Sequence, residues 1–171
     1  GTVTKVEIPV EKKAADIVIV TDCKEDDMQL KSMIDRFRDN LPLESRIVNL
    51  WDYPFSGGCL GCFNCAVDGT CIYRDGFDEF LRTKINSAQA VIYAFTISDH
   101  NASSRFKPFY DRQFCNGHRT MTVGMPMGYL ISGDLSVEEN LRTIIQGRAQ
   151  VGQNPICGTA YDDKNVDVQI D

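Results

Sequence analysis

A run of β-branched apolar residues, Ile17-Val18-Ile19-Val20, is followed by Leu30, Met33, Ile34, Phe37 and Leu41 at helical spacing. An uninterrupted apolar run of this length fits a strand buried on both faces, and such strands occur in sheets covered by helices on either side. The same alternation repeats along the chain. Arg46 to Leu50 reads as a second strand, and Phe77, Phe80, Leu81, Ile85 and Ala88 as a second helix. Ala90 to Thr96 is a third strand. Phe106, Phe109, Tyr110 and Gln113 mark a third helix, with Pro108 tolerated in its first turn. Gly128 to Ser132 is a fourth strand. Ser136 and Glu139 form a capping-box pattern before Leu141, Ile144 and Ile145. Pro155 to Tyr161 is a fifth strand, followed by an acidic tail. Asp26 and Asp27 stand where a helix N-terminus favours negative charge.

Five strands alternating with four helices predict an α/β protein, a three-layer α/β/α sandwich with a parallel sheet. With 171 residues, the simplest doubly wound topology is flavodoxin-like, a five-stranded parallel sheet of order 2-1-3-4-5. Residues 1–15 read as an N-terminal arm or linker, and 16–171 as the domain. The formal net charge is −6, which disfavours nucleic acid and anionic membrane surfaces as partners. No apolar run approaches the roughly 18 residues of a membrane helix. Trp51 to Arg74 carries neither period. Long loops of this kind in a folded domain are usually functional.

That loop holds the sharpest chemical signal. Of seven cysteines, Cys59, Cys62, Cys65 and Cys71 follow a C-x2-C-x2-C-x5-C spacing among Gly57, Gly58 and Gly61. An odd total with this crowding is unlike a disulfide framework and suits a reducing, cytoplasmic setting. Thiolates are soft ligands for iron–sulfur clusters, zinc or Cu(I). The spacing differs from the bacterial ferredoxin run. It also differs from zinc sites, whose cysteine pairs stand further apart. A [4Fe–4S] cluster, zinc and four reduced thiols remain the alternatives. Cys23, Cys115 and Cys157 read as buried reduced thiols, His100 and His118 as loop histidines, and Lys107 with Arg112 as a solvated helix face.

These residues resemble the NADPH-dependent FMN reductases of flavodoxin-like fold, in particular the iron–sulfur flavoprotein branch. The markers are Gly61-Cys62-Phe63-Asn64-Cys65, Thr70-Cys71-Ile72, Asp75, the strand Ala90 to Phe95, and Lys107 with Asp111-Arg112. The resemblance spans about Ala15 to Tyr161. It implies a redox, electron-transfer domain with Cys59, Cys62, Cys65 and Cys71 holding a [4Fe–4S] cluster. It also implies FMN, a nicotinamide or ferredoxin as electron donor, and a dimer or larger homo-oligomer. By the same resemblance, FMN contacts fall at Thr21 and Lys24 after the first strand. They continue at Thr96, Ile97 and Ser98 after the third strand, and at Gly133 after the fourth.

The first of these loops departs from the family pattern. Thr21-Asp22-Cys23-Lys24-Glu25-Asp26-Asp27 has no glycine and a charge of about −3. Two like charges 4 Å apart cost roughly 1 kcal/mol in water and about 4 at an effective dielectric of 20, so a phosphate meets repulsion there. Thr96 and Ser98 replace the family's Pro-x-Tyr. A second reading follows, a cofactor-free flavodoxin-like domain serving dimerisation or packing against a catalytic half. A start at Gly1, the arm and the altered loops together suggest a duplicated protein whose upstream flavodoxin-like half binds the flavin.

Overall fold

In the computed structural model, residues 13–115, 119–162 and 165–171 are described. Strand β1 (Lys13–Thr21) is followed by α1 (Met28–Asn40) and β2 (Leu43–Asn49). Then come α2 (Cys65–Asp68), α3 (Phe77–Phe80) with a π-helical turn over Leu81–Ile85, and β3 (Ala90–Ser98). A two-residue β4 (Asn101–Ala102) precedes α4 (Phe106–Arg112) and β5 (Met127–Ser132). The chain continues through α5 (Glu139–Gly152), β6 (Ile156–Tyr161) and α6 (Val166–Ile170).

The sheet runs β2-β1-β3-β5-β6, all parallel, with β4 antiparallel on the end of β3. The expected five strands in the order 2-1-3-4-5 are therefore corrected to six. The addition is β4, formed because Asp99 and His100 both take positive φ (48° and 62°). That turn folds Asn101 and Ala102 back onto Ser98 and Ile97. Two residues are too short a run to leave a periodicity in the sequence.

The apolar run of β1 splits between two cores, as strand pleating requires. Val18 and Val20 face the aromatic layer of Phe77, Phe80, Phe106 and Phe109, which α5 completes with Leu141 and Ile145. Ile19 faces Leu30, Met33 and Ile34 of α1. At the side-chain level, Asp27 caps α1 by accepting from the Leu30 N–H at 3.2 Å. The expected capping box at Ser136 and Glu139 is not formed. Asp134 accepts from the Ser136 N–H at 2.9 Å in a 3-10 turn, and Glu138 occupies the N-cap of α5 without a side-chain cap. Lys13 to Ala15, read as the end of an arm, run in β1, with Lys13 opposite Leu43. Residues 1–12 and His118 lie outside the described residues. No helix among the described residues is long and apolar enough to cross a membrane.

Candidate functional site

The cysteine loop leaves β2 through a 3-10 turn at Leu50–Asp52 and returns to α3 at Phe77. Its shape is set locally. Gly61 takes φ +65°, where a Cβ would be strained, and the Tyr73 hydroxyl donates to the Gly58 carbonyl at 3.1 Å. Asn64 Nδ2 donates to the Thr70 carbonyl at 3.0 Å, bracing α2 from outside. Gly69, left-handed at φ 76°, ends α2 with its N–H on the Cys65 carbonyl.

This folding brings all four motif cysteines together. Cys59, Cys62, Cys65 and Cys71 line one cavity of about 20 Å³, joined by Cys115 and Arg112 from the far end of α4. Cys59 and Cys62 are exposed, Cys65 and Cys71 half-buried, and Cys115 buried. Two N–H donors already face sulfur. The Gly61 N–H donates to Cys59 Sγ at 3.4 Å, and Arg112 Nη2 to Cys71 Sγ at 3.2 Å. Among the described residues, no three His, Cys, Asp or Glu side chains are spaced to hold a metal ion. The fit to a cluster therefore rests on the donor set: four thiols on one wall, with hydrogen bonds aimed at sulfur.

Arg112 corrects the sequence reading. It is not on a solvated helix face but 1% exposed. Its Nη1 and Nη2 donate to Asp75 Oδ2 and Oδ1 at 2.7 and 2.6 Å, and its guanidinium lies 4.3 Å from the Phe77 ring centroid. Arg112 Nε is buried without a partner among the described residues. Asp75 also accepts from the Ser56 N–H at 2.9 Å. The Arg112 hydrogen bonds, with that N–H, hold the Asp75 carboxyl well below the usual carboxylate range. Lys107 does lie on an exposed face, paired with Asp111 at 2.7 Å.

Around the carboxyl ends of β1, β3 and β5, the residues expected to hold a flavin, Lys24 excepted, are bonded to the chain itself. Thr21 is buried, its Oγ1 accepting from the Cys23 N–H at 3.1 Å. The Thr96 hydroxyl donates to Asp27, whose carboxylate also occupies the α1 N-terminus where a phosphate would sit. Ile97 and Ser98 are paired into the β4 hairpin. The Gly133 N–H donates to Asp162 Oδ2 at 2.9 Å. Lys24 lies 5.1 Å from the Trp51 ring centroid. Asp22 is buried and accepts from the Ser103 hydroxyl. Burial raises its carboxyl above the ordinary value, and nearby Asp27 adds to the rise. Asp27 thus takes the helix N-terminus a phosphate would use, Asp22 sets a second carboxylate beside it, and this corner does not fit the phosphate of FMN.

The remaining thiols and the histidine separate by environment. Burial, with the Asp27 and Asp22 charges, pushes the Cys23 thiol up to about 11. Cys157 is exposed, not buried as expected. His100 is an exposed loop residue whose Nδ1 lies 3.0 Å from Glu138 Oε1. Cys115 is the functional candidate the sequence reading missed. Its place on the cavity depends on how α4 docks, 44 positions after the last motif cysteine.

No family model matches the chain. Over 73 residues it is 34% identical to an iron–sulfur flavoprotein of Archaeoglobus fulgidus. That stretch is 43% of this chain and 33% of the relative, so the chain spans about a third of that protein's length. An NAD(P)H:quinone oxidoreductase from Methanothermobacter marburgensis superposes with a TM-score of 0.68 over 92% of each chain at 14% identity. The azoreductase AzrA gives 0.66 over 89% of this chain and 88% of its own at 11% identity. A flavodoxin, WrbA-like protein from Agrobacterium tumefaciens gives 0.57 over 91% and 90%, also at 11%. The three-layer fold is shared with these structures, and the resemblance to an iron–sulfur flavoprotein read from the sequence recurs in the matched stretch.

Proposed function

We propose that this chain is a redox domain of the iron–sulfur flavoprotein type, in which Cys59, Cys62, Cys65 and Cys71 hold a [4Fe–4S] cluster. One observation carries the reading: four cysteines spread over thirteen positions share one cavity wall, with Arg112 donating to Cys71 beside them. When bound, such a cluster takes up and releases single electrons. The chain's own residues prepare the site. The Gly61 N–H and the Arg112 guanidinium offset negative charge on sulfur. Asp75 holds Arg112 in register, and the Phe55, Phe77 and Tyr73 rings exclude water from the guanidinium. Burial and hydrogen bonds to sulfur are the levers by which a protein sets a cluster's potential.

The name of the partial relative supports a flavin as electron partner. Because Asp22 and Asp27 fill the phosphate corner here, the reading puts that flavin outside it, in a partner domain or protomer. A nicotinamide or a ferredoxin as donor, and a homo-oligomeric state, belong to the same reading.

The test is anaerobic purification with iron, zinc and acid-labile sulfide assays. About four irons per chain are expected. Serine at Cys59, Cys62, Cys65 or Cys71 should lower iron content, while Cys157→Ser should not. A protein free of iron after anaerobic reconstitution overturns the cluster. Equimolar zinc in its place assigns the thiols to a structural ion instead.

A further inference from the structure

A second cavity, of about 360 Å³, opens at the opposite end of the sheet from the flavin corner, where β5 begins. That volume lies within the roughly 300–1,000 Å³ range of small-molecule sites. Its wall is mostly apolar, with Met121 and Met125 on the loop before β5 and Ile144 on α5. Methionines adapt to the shape of what they cover. Asn154 holds this loop in place, its Nδ2 donating to the Met125 carbonyl at 3.0 Å.

The charge of the cavity is unlike that of the molecule. The chain carries −6, yet among the described residues no carboxylate lines this cavity, and two arginines do. Arg119 is on the rim and exposed. Arg148 is half-buried and held in place. Its Nη2 donates to the Tyr110 carbonyl at 2.8 Å and to Gln113, and its guanidinium lies 4.1 Å from the Tyr110 ring centroid. Gln113 in turn donates to the Tyr93 hydroxyl at 3.1 Å, so the anchoring network continues along the cavity floor. Nη1 and Nε of Arg148 have no partner, and no carboxylate pairs with it, among the described residues.

From this we infer that the cavity is a binding site for an apolar organic monoanion, a carboxylate on an aromatic or aliphatic body, with Arg148 as its charge partner. With Nη2 anchored, the guanidinium keeps its full charge and its Nη1 and Nε donors for a single charge-assisted hydrogen bond to a carboxylate oxygen, and the methionine-lined wall takes the apolar body. The cavity shares no lining residue with the cysteine cavity, so this inference stands apart from the cluster.

Titration of the purified chain with 2-naphthoate and with the neutral 2-naphthylmethanol, followed by calorimetry or amide NMR shifts, tests it. One acid per chain is expected, bound about 10-fold or more tightly than the alcohol, and Arg148→Gln should remove that preference. Gly147→Leu supplies a second test. Gly147 lines the cavity, and a Cβ there meets open space, so a leucine adds its bulk to the cavity wall without a clash at Cβ. It should abolish binding of both probes. Equal affinity for acid and alcohol, a preference that survives Arg148→Gln, or acid binding unaffected by Gly147→Leu would each overturn the inference. Should Arg148→Gln fail to fold, the Gly147→Leu result decides.

Discussion

Two aspartates in this molecule carry opposite stability signatures. Asp75 is held below the ordinary carboxylate value by Arg112 and the Ser56 N–H. Its unfolded value is near 3.9. The folded state therefore binds fewer protons, and the pair's contribution is complete above about pH 4 and lost as pH falls below it. The urea midpoint should decline over that interval, and less steeply in Arg112→Met. At pH 7 that variant should lose about 2–3 kcal/mol, because it removes two charge-assisted hydrogen bonds from a half-buried carboxylate that keeps only its backbone N–H donors. A loss below 1 kcal/mol would contradict the pairing as drawn. Asp22 behaves in reverse. Burial raises its carboxyl, so the folded state keeps the proton longer, and stability falls as pH rises through the folded value. Asp22→Asn can still accept from Ser103, and should raise the thermal midpoint at neutral pH by the equivalent of about 1 kcal/mol. The gain should vanish near pH 4, and a lowered midpoint at pH 7 would refute the assignment.

At the scale of elements, helix α1 was legible because its buried Leu30, Met33 and Ile34 repeat at 3.6-residue spacing. Helix α5 was legible for the same reason, but its start was not. The Asp134 side chain bonds the Ser136 N–H first, and this local alternative competes with the capping box. Helix α6 and strand β4 were missed, each being five residues or fewer. Two glycine substitutions separate local propensity from tertiary geometry. Gly147→Ala, at the exposed edge of α5 that opens onto the arginine cavity, should stabilise by about 0.8–1 kcal/mol. Gly133→Ala should destabilise by about 1–3 kcal/mol, since φ is +120° and the new Cβ would lie 3.1 Å from Ile97. Chemical denaturation of both variants checks the pair, and similar effects of the same sign would be inconsistent with it.

For the whole molecule, protection should follow burial. Strand β5 is buried at all six positions, and β1 and β3 are flanked by strands on both sides. Their amides should be the last to exchange in hydrogen–deuterium experiments. Those of the Cys59–Cys71 loop, with few backbone hydrogen bonds of its own, should exchange early. Late exchange of that loop in metal-free protein would mean that it is ordered before any cluster binds.

The sequence by itself determined the alternation of strands and helices, the parallel sheet and the grouping of four cysteines. All of these depend on periodicity or on spacing within a short stretch of chain. Tertiary structure decided the rest. Arg112 is buried beside Cys71, 41 positions away, because α4 docks over the cysteine loop and Asp75 neutralises the charge there. Asp27, Asp22 and Asp162 take the donors of the flavin corner because strands distant in sequence end side by side. Arg148 meets an apolar cavity without a carboxylate because the loop before β5 folds back over α5. Whether a charge lies in water, in a pair or alone against an apolar wall depends on contacts between remote segments, which no local pattern of residues encodes.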